Sequence, residues 1–185
     1  MGNTGAGFNY LISTLFDLYA FVVMLRFLMQ LTRADYYNPV SQFVVKITDP
    51  LLLPIRKVIP GIGGHDIAAL VLCFLVLLVK FALLLMIGGV GLTGWAGVVV
   101  AAIIGIHRQV GVIGTVFDVF FFSILAMVIL SWISPGGNPI SGLLRSITSP
   151  ILTPIQRVMP AMGGFDLSPL VALILLQFFR IILNV

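Results

Sequence analysis

The sequence has no glutamate, one cysteine and two histidines, and only 9% of its 185 residues are charged. A soluble domain carries roughly 25% charged residues. So sparse a charge cannot coat a water-soluble fold, and a 60% hydrophobic content excludes a disordered chain. The lone Cys73 rules out an intramolecular disulfide. Six Asp and two His offer little from which to build a metal cluster or a catalytic set. There is no Gly-rich phosphate loop, nucleophile elbow, HExxH, CxxCH or Thr-Val-Gly-Tyr-Gly filter. No enzymatic activity, cofactor or metal is therefore expected. The net charge of +4 is small and scattered, which argues against nucleic acid. What remains, with a mean hydropathy of +1.19, is an integral membrane protein.

Four apolar stretches are long enough, at about 1.5 Å per residue, to cross a hydrocarbon core of about 30 Å. They run from about Tyr10 to Leu31, Ile67 to Gly88, Gly111 to Ile133, and Leu167 to Val185. The first is not read as a signal peptide or a myristoylation site. No Lys or Arg precedes it, Asp17 and Arg26 lie within it, and Ala6 stands where the acylation motif needs Ser or Thr. A fifth stretch, Trp95–Ile106, is too short to cross. It carries Gly97, Ala101 and Gly105 at a four-residue spacing suited to close backbone approach.

Basic residues set the topology. Arg33, Lys46, Arg56 and Lys57 follow the first span, and Arg145 and Arg157 follow the third. Both long connections are therefore expected inside and both termini outside. The expectation is an all-α membrane protein with four spans, Trp95–Ile106 being re-entrant or interfacial. Residues 1–91, 92–109 and 110–185 form a first repeat, a Gly-rich segment and a second repeat.

The repeat is visible at an offset of one hundred. Asn38, Pro39, Pro50, Pro54, Pro60, Gly63, Gly64 and Asp66 are matched by Asn138, Pro139, Pro150, Pro154, Pro160, Gly163, Gly164 and Asp166. A gapless match of this kind indicates duplication, here of parallel units related by a pseudo-twofold along the membrane normal. In each connection the Asn caps an amphipathic interfacial helix that begins with Pro. The next two prolines are expected to break that helix into a second short element. That element bears Arg56 and Lys57, or Gln156 and Arg157. Pro60 and the Gly pair turn the chain, and Asp66, and Asp166 or Ser168, are expected to cap the following span, the alternative being that these Asp residues bind a partner or a cation.

Asp17, Lys80, Asp118 and Arg180 lie inside apolar stretches, where charges are costly. Asp17 is fourteen residues before Leu31, and Lys80 thirteen after Ile67. Asp118 is fifteen before Ile133, and Arg180 thirteen after Leu167. Each repeat thus places an acid and a base at one depth, which predicts an ion pair in each hairpin. The alternative is a polar track for ions or protons. Arg26, half a revolution from Asp17, is expected to reach headgroups or a carbonyl of the Asn-Pro loop. Arg56, Lys57, Arg145 and Arg157 are expected at anionic headgroups or an acidic partner. His65 and His107 are read as interfacial.

The segments NPVSQFVVKITDPLLLPIRKVIPGIGGHD and NPISGLLRSITSPILTPIQRVMPAMGGFD, with Ser131 and Trp132 ahead of the second, resemble the signature segments of the YggT (YlmG) family. Leu18, Tyr19 and Arg26 upstream resemble its proteobacterial branch. The chain departs from the pattern at Gln156, where the family often repeats Arg. The resemblance implies a small, non-enzymatic inner-membrane protein associated with tolerance of hyperosmotic shock and with cation homeostasis. For related YlmG proteins it implies links to division, nucleoid organisation and cytochrome assembly. Two mechanisms fit: a membrane scaffold or assembly factor, with lipid, protein or homo-oligomeric partners, or a small ion transporter.

Overall fold

The computed structural model describes residues 2–59, 61, 66–87, 91, 94–106, 109–134, 138–159 and 166–185. Pro60, Gly63, Gly64, His65, His107, Pro160, Gly163 and Gly164 lie outside the described residues. Seven helices run in order: α1 (Gly2–Leu31), α2 (Pro39–Val58), α3 (Ile67–Met86), α4 (Gly94–Ile104), α5 (Val112–Ile133), α6 (Pro139–Val158) and α7 (Ser168–Leu183). A two-residue antiparallel ladder, β1 (Gly105–Ile106) with β2 (Gln109–Val110), links α4 to α5. Three helical stretches, Gly5–Leu31, Ile67–Met86 and Val112–Ile133, are long and apolar enough to cross a membrane. The helices α4 and α7 are apolar but shorter.

The helix α1 starts eight residues earlier than the apolar stretch, because no proline interrupts Gly2–Asn9 and extending a formed helix costs little. It ends in a left-handed Arg33 (φ 52°), with the Ala34 N–H on the Met29 carbonyl at 2.8 Å. The core centres on α1 packed against α3, with Val23, Met24, Leu77 and Phe81 fully buried. Around Ile124, Leu152, Ala172 and Leu176 a smaller cluster holds α5, α6 and α7 together.

Both Asn caps form as expected. Asn38 Oδ1 accepts the Val40 N–H at 2.9 Å, and Asn138 Oδ1 accepts the Ile140 N–H at 3.1 Å. Asn38 Nδ2 also donates to the Pro139 carbonyl at 2.6 Å, joining the two connections. The expected break at the prolines does not occur: α2 and α6 each run as one 20-residue helix through Pro50 and Pro54, or Pro150 and Pro154. Four-residue spacing puts each proline pair on one exposed face. The carbonyls of Lys46 and Pro50 that lose their N–H donors therefore point outward. The opposite face of α2 carries Ser41, Val44, Thr48 and Leu52, all buried, and that packing holds the helix together.

In α4 the buried row is Val98, Ala101 and Ala102, facing α3. The close-approach row expected from Gly97, Ala101 and Gly105 is not the packed one. Gly97 is half-buried, and Gly105 leaves the helix at φ 98° to start the ladder.

Candidate functional site: an intramembrane charge layer and its interfacial clamps

Four ion pairs organise the described residues. Lys80, fully buried on α3, sets Nζ 2.6 Å from Asp17 Oδ1 on α1. The same ammonium donates to the Val110 carbonyl at 2.7 Å and lies 4.4 Å from the Phe81 ring centroid. In the second half Arg180 Nη1 of α7 lies 2.6 Å from Asp118 Oδ1 of α5. Its Nε donates to the main-chain oxygen of Val185 at 3.0 Å. Each base thus bridges its own hairpin and takes a second, main-chain oxygen. Nothing in the sequence pattern marked Val110 as that acceptor. Its carbonyl reaches Lys80 only because the β-ladder folds the α4–α5 connection back over α3.

Only one oxygen of each carboxylate meets its base. Asp17 and Asp118 face each other across a cavity of about 480 Å³ between α1 and α5, which Thr14, Phe21, Thr115 and Phe122 also line. The cavity is largely apolar, and both threonine hydroxyls donate to their own helices, at 2.8 Å to the Tyr10 and Gly111 carbonyls. No group of three or more His, Cys, Asp or Glu side chains suited to a metal occurs among the described residues.

The third pair corrects the expectation for Arg26. This side chain is buried and reaches neither headgroups nor the Asn-Pro loop. Its Nη2 lies 2.7 Å from Asp49 Oδ1, and its Nη1 donates to the Val45 carbonyl at 3.1 Å and to Thr48 Oγ1. The reason is geometric: Asp49 lies one turn beyond Val45 on the face of α2 that packs on α1. The sequence does carry a signal for this pair. At the corresponding places in the second half stand Met127 and Ser149, so both partners depart from the repeat together. There Thr148 Oγ1 meets Met127 Sδ at 3.7 Å instead.

The fourth pair corrects two roles. Asp66 sits at the N-cap of α3 but makes no side-chain cap bond. It is taken by Arg56 of α2, whose Nη2 and Nε both donate to it. The hydrogen bond that it donates to Asp66 raises the Arg56 guanidinium above its ordinary value, against the opposing effect of burial. Arg56 is thus tied to its own chain. In the second half Gln156 Nε2 replaces the guanidinium and donates to Asp166 Oδ2 at 2.9 Å, while Asp166 Oδ1 accepts the Ser168 N–H at 2.9 Å. Burial pushes the Asp166 carboxyl up, but the bonds from Ser168 and Gln156 outweigh it and hold it below its ordinary value. The departure at Gln156 therefore keeps the link and drops the charge. Lys46, Lys57, Arg145 and Arg157 are exposed, with no ion pair among the described residues.

Comparison with known proteins matches residues 6–87 and 106–185 to the family described as CCB3/YggT. The chain belongs to the CCB3/YggT family. It is 43% identical over 169 residues to a Pseudomonas aeruginosa protein, covering 91% of this chain and 83% of the relative. It is 40% identical over 171 residues to a Vibrio alginolyticus protein described by its place in the proC 3′ region, covering 92% and 89%. With YggT of Escherichia coli strain K12 it shares 38% identity over 168 residues, covering 91% and 84%. No solved structure matches.

Proposed function

We propose that this CCB3/YggT protein is a non-enzymatic scaffold of the bacterial inner membrane that contributes to osmotic-stress tolerance. It has two parallel repeats, four crossings and a returning α4. The two separately matched stretches, 6–87 and 106–185, support the repeat boundaries. An α7 of 16 residues is about 24 Å long, roughly four-fifths of a hydrocarbon thickness, and α4 reaches about half of that thickness. Cations on both Pro-rich connections support a cytoplasmic location for them and a periplasmic one for the termini. The osmotic process is the one that the family resemblance implies.

The single observation that carries the scaffold reading is the engagement of every intramembrane charge. Lys80 and Arg180 each hold an acid and a main-chain oxygen, while α2 and α6 are clamped to their hairpins. This arrangement fixes two amphipathic helices at the membrane surface as a rigid platform. A second reading, a small ion transporter, draws on the cavity between Asp17 and Asp118. Cation flux into liposomes carrying the purified protein, with and without an osmotic gradient, separates them. The scaffold predicts flux equal to protein-free liposomes, with osmotic protection in cells still dependent on α2 and α6. Protein-dependent flux abolished by Asp17→Asn would overturn it in favour of transport.

A further inference from the structure

The duplication provides an internal control for the outer face of α2. Phe43, Ile47 and Leu51 recur at four-residue steps, Val58 follows two turns on, and Lys46 and Lys57 run along their edge, all exposed on one stripe. The same stripe of α6 differs in chemistry and burial over its N-terminal half, whereas Arg157 and Val158 keep the cation and the exposed valine of its C-terminal end. Leu143 and Ile147 are buried in the core cluster centred on the first half, and Ser146 stands in place of Lys46. The N-terminal half of the stripe is thus covered by protein in α6, while in α2 it presents Phe43, Lys46 and Ile47 to the outside.

The charge on that stripe is not neutralised from within. Of the acids on and beside α2, Asp49 is held by Arg26 and Asp66 by Arg56, and Asp35 accepts the Tyr37 N–H. Lys46 and Lys57 keep no acid among the described residues, and lie three helical turns apart on one side of the helix. Their aliphatic stems can lie along the apolar stripe while the ammonium groups extend to its edge.

We propose that this stripe is a docking site for anionic phospholipid. Phe43, Ile47 and Leu51 enter the acyl boundary, and Lys46 and Lys57 hold phosphate headgroups. The site is confined to the first repeat, and α6 does not share it. The proposal rests on the membrane arrangement given above and deepens it by naming the surface that reads lipid charge.

The test uses full-length protein with Cys73→Ala and Leu53→Cys, the latter an exposed position beside the stripe, carrying an environment-sensitive fluorophore. The protein is placed in phosphatidylcholine vesicles whose spin-labelled quenching lipid is either a phosphatidylcholine or a phosphatidylglycerol. Quenching should rise with phosphatidylglycerol. Lys46→Gln with Lys57→Gln should weaken that dependence about 30-fold, about fivefold per lysine. Arg145→Gln with Arg157→Gln should leave it unchanged. All four side chains are exposed, and circular dichroism verifies that the variants fold.

Equal quenching in the two vesicles, or equal loss from both double variants, overturns the lipid site while leaving the membrane arrangement intact. Absence of quenching, together with disulfide cross-linking between copies of the unlabelled Leu53→Cys variant, assigns the stripe to a second copy of the chain and also overturns it. Failure to insert in either vesicle removes the membrane arrangement and this proposal with it.

Discussion

Lys80→Met strands the Asp17 carboxylate, and Asp17→Leu strands the Lys80 ammonium. The second should be the more damaging, because Lys80 is fully buried whereas the Asp17 side chain keeps 29% of its exposure. Without Asp17, the ammonium retains only the Val110 carbonyl and the Phe81 ring. Stranding one member of a buried pair costs about 3–5 kcal/mol. That shifts the folded-to-unfolded ratio by roughly two to three and a half powers of ten, a large share of the about 5–15 kcal/mol that stabilises a typical protein. The double variant, Asp17→Leu with Lys80→Met, strands no charge, although the Val110 carbonyl loses its Lys80 donor, and it should recover most of the loss, since an apolar pair of similar volume often matches a buried ion pair. Thermal denaturation of purified protein in nanodiscs, with folded yield from membranes, reads all four corners of this cycle. Singles as stable as wild type would refute the buried-pair reasoning. If those same singles also abolished osmotic protection, the charges would belong to a transport path.

Three further outcomes follow from the same geometry. The Asp118–Arg180 pair is more exposed, at 16% and 28%, so Asp118→Leu should destabilise less than Asp17→Leu in the same nanodisc assay. Arg26→Met with Asp49→Ser copies the Met127 and Ser149 of the second half. This double variant should denature within about 1 kcal/mol of wild type, whereas Asp49→Ser alone, which strands a buried guanidinium, should lose about 3 kcal/mol. Asp166 has its carboxyl held down in the folded state, so its contribution is present above the ordinary carboxylate value near 3.9 and is lost as pH falls through the lowered folded value. Hydrogen exchange at Ser168 should accelerate over that acid range in wild type and be independent of pH there, after correction for intrinsic exchange, in Asp166→Asn.

Depth arithmetic was enough to bring Asp17 to Lys80 and Asp118 to Arg180, because two helices of one hairpin share a membrane normal and a rise of about 1.5 Å per residue. The Asn caps were legible for a local reason: Asn followed by Pro constrains its own first turn. Arg26 was not legible from its own helix, since the residue that decides its fate lies on another element 23 positions away. The continuity of α2 was hidden for a related reason. Proline propensity predicts a break, and only the buried row Ser41, Val44, Thr48 and Leu52 reveals that tertiary packing outweighs it. Asp66 shows a third kind of difference: its place ahead of α3 suits a cap, yet a guanidinium ten residues upstream binds it more strongly than a backbone N–H would.

These differences share a pattern that bears on mechanism. The duplicated connections keep their caps and prolines, while the polar contacts that fasten them have diverged in pairs. Arg26 with Asp49 becomes Met127 with Ser149, and Arg56 with Asp66 becomes Gln156 with Asp166. Each change removes charge from the second half: Met127 meets Thr148 in place of an ion pair, and Gln156 keeps the link to Asp166. The first half therefore carries α2 on two ion pairs, and the second carries α6 on a Gln156–carboxylate bond, the Thr148–Met127 contact and buried apolar side chains. An ion path shared by two symmetric halves would constrain both sets alike. The proposed scaffold, with its lipid-docking stripe on α2 alone, places no such constraint, and paired divergence is what that proposal predicts.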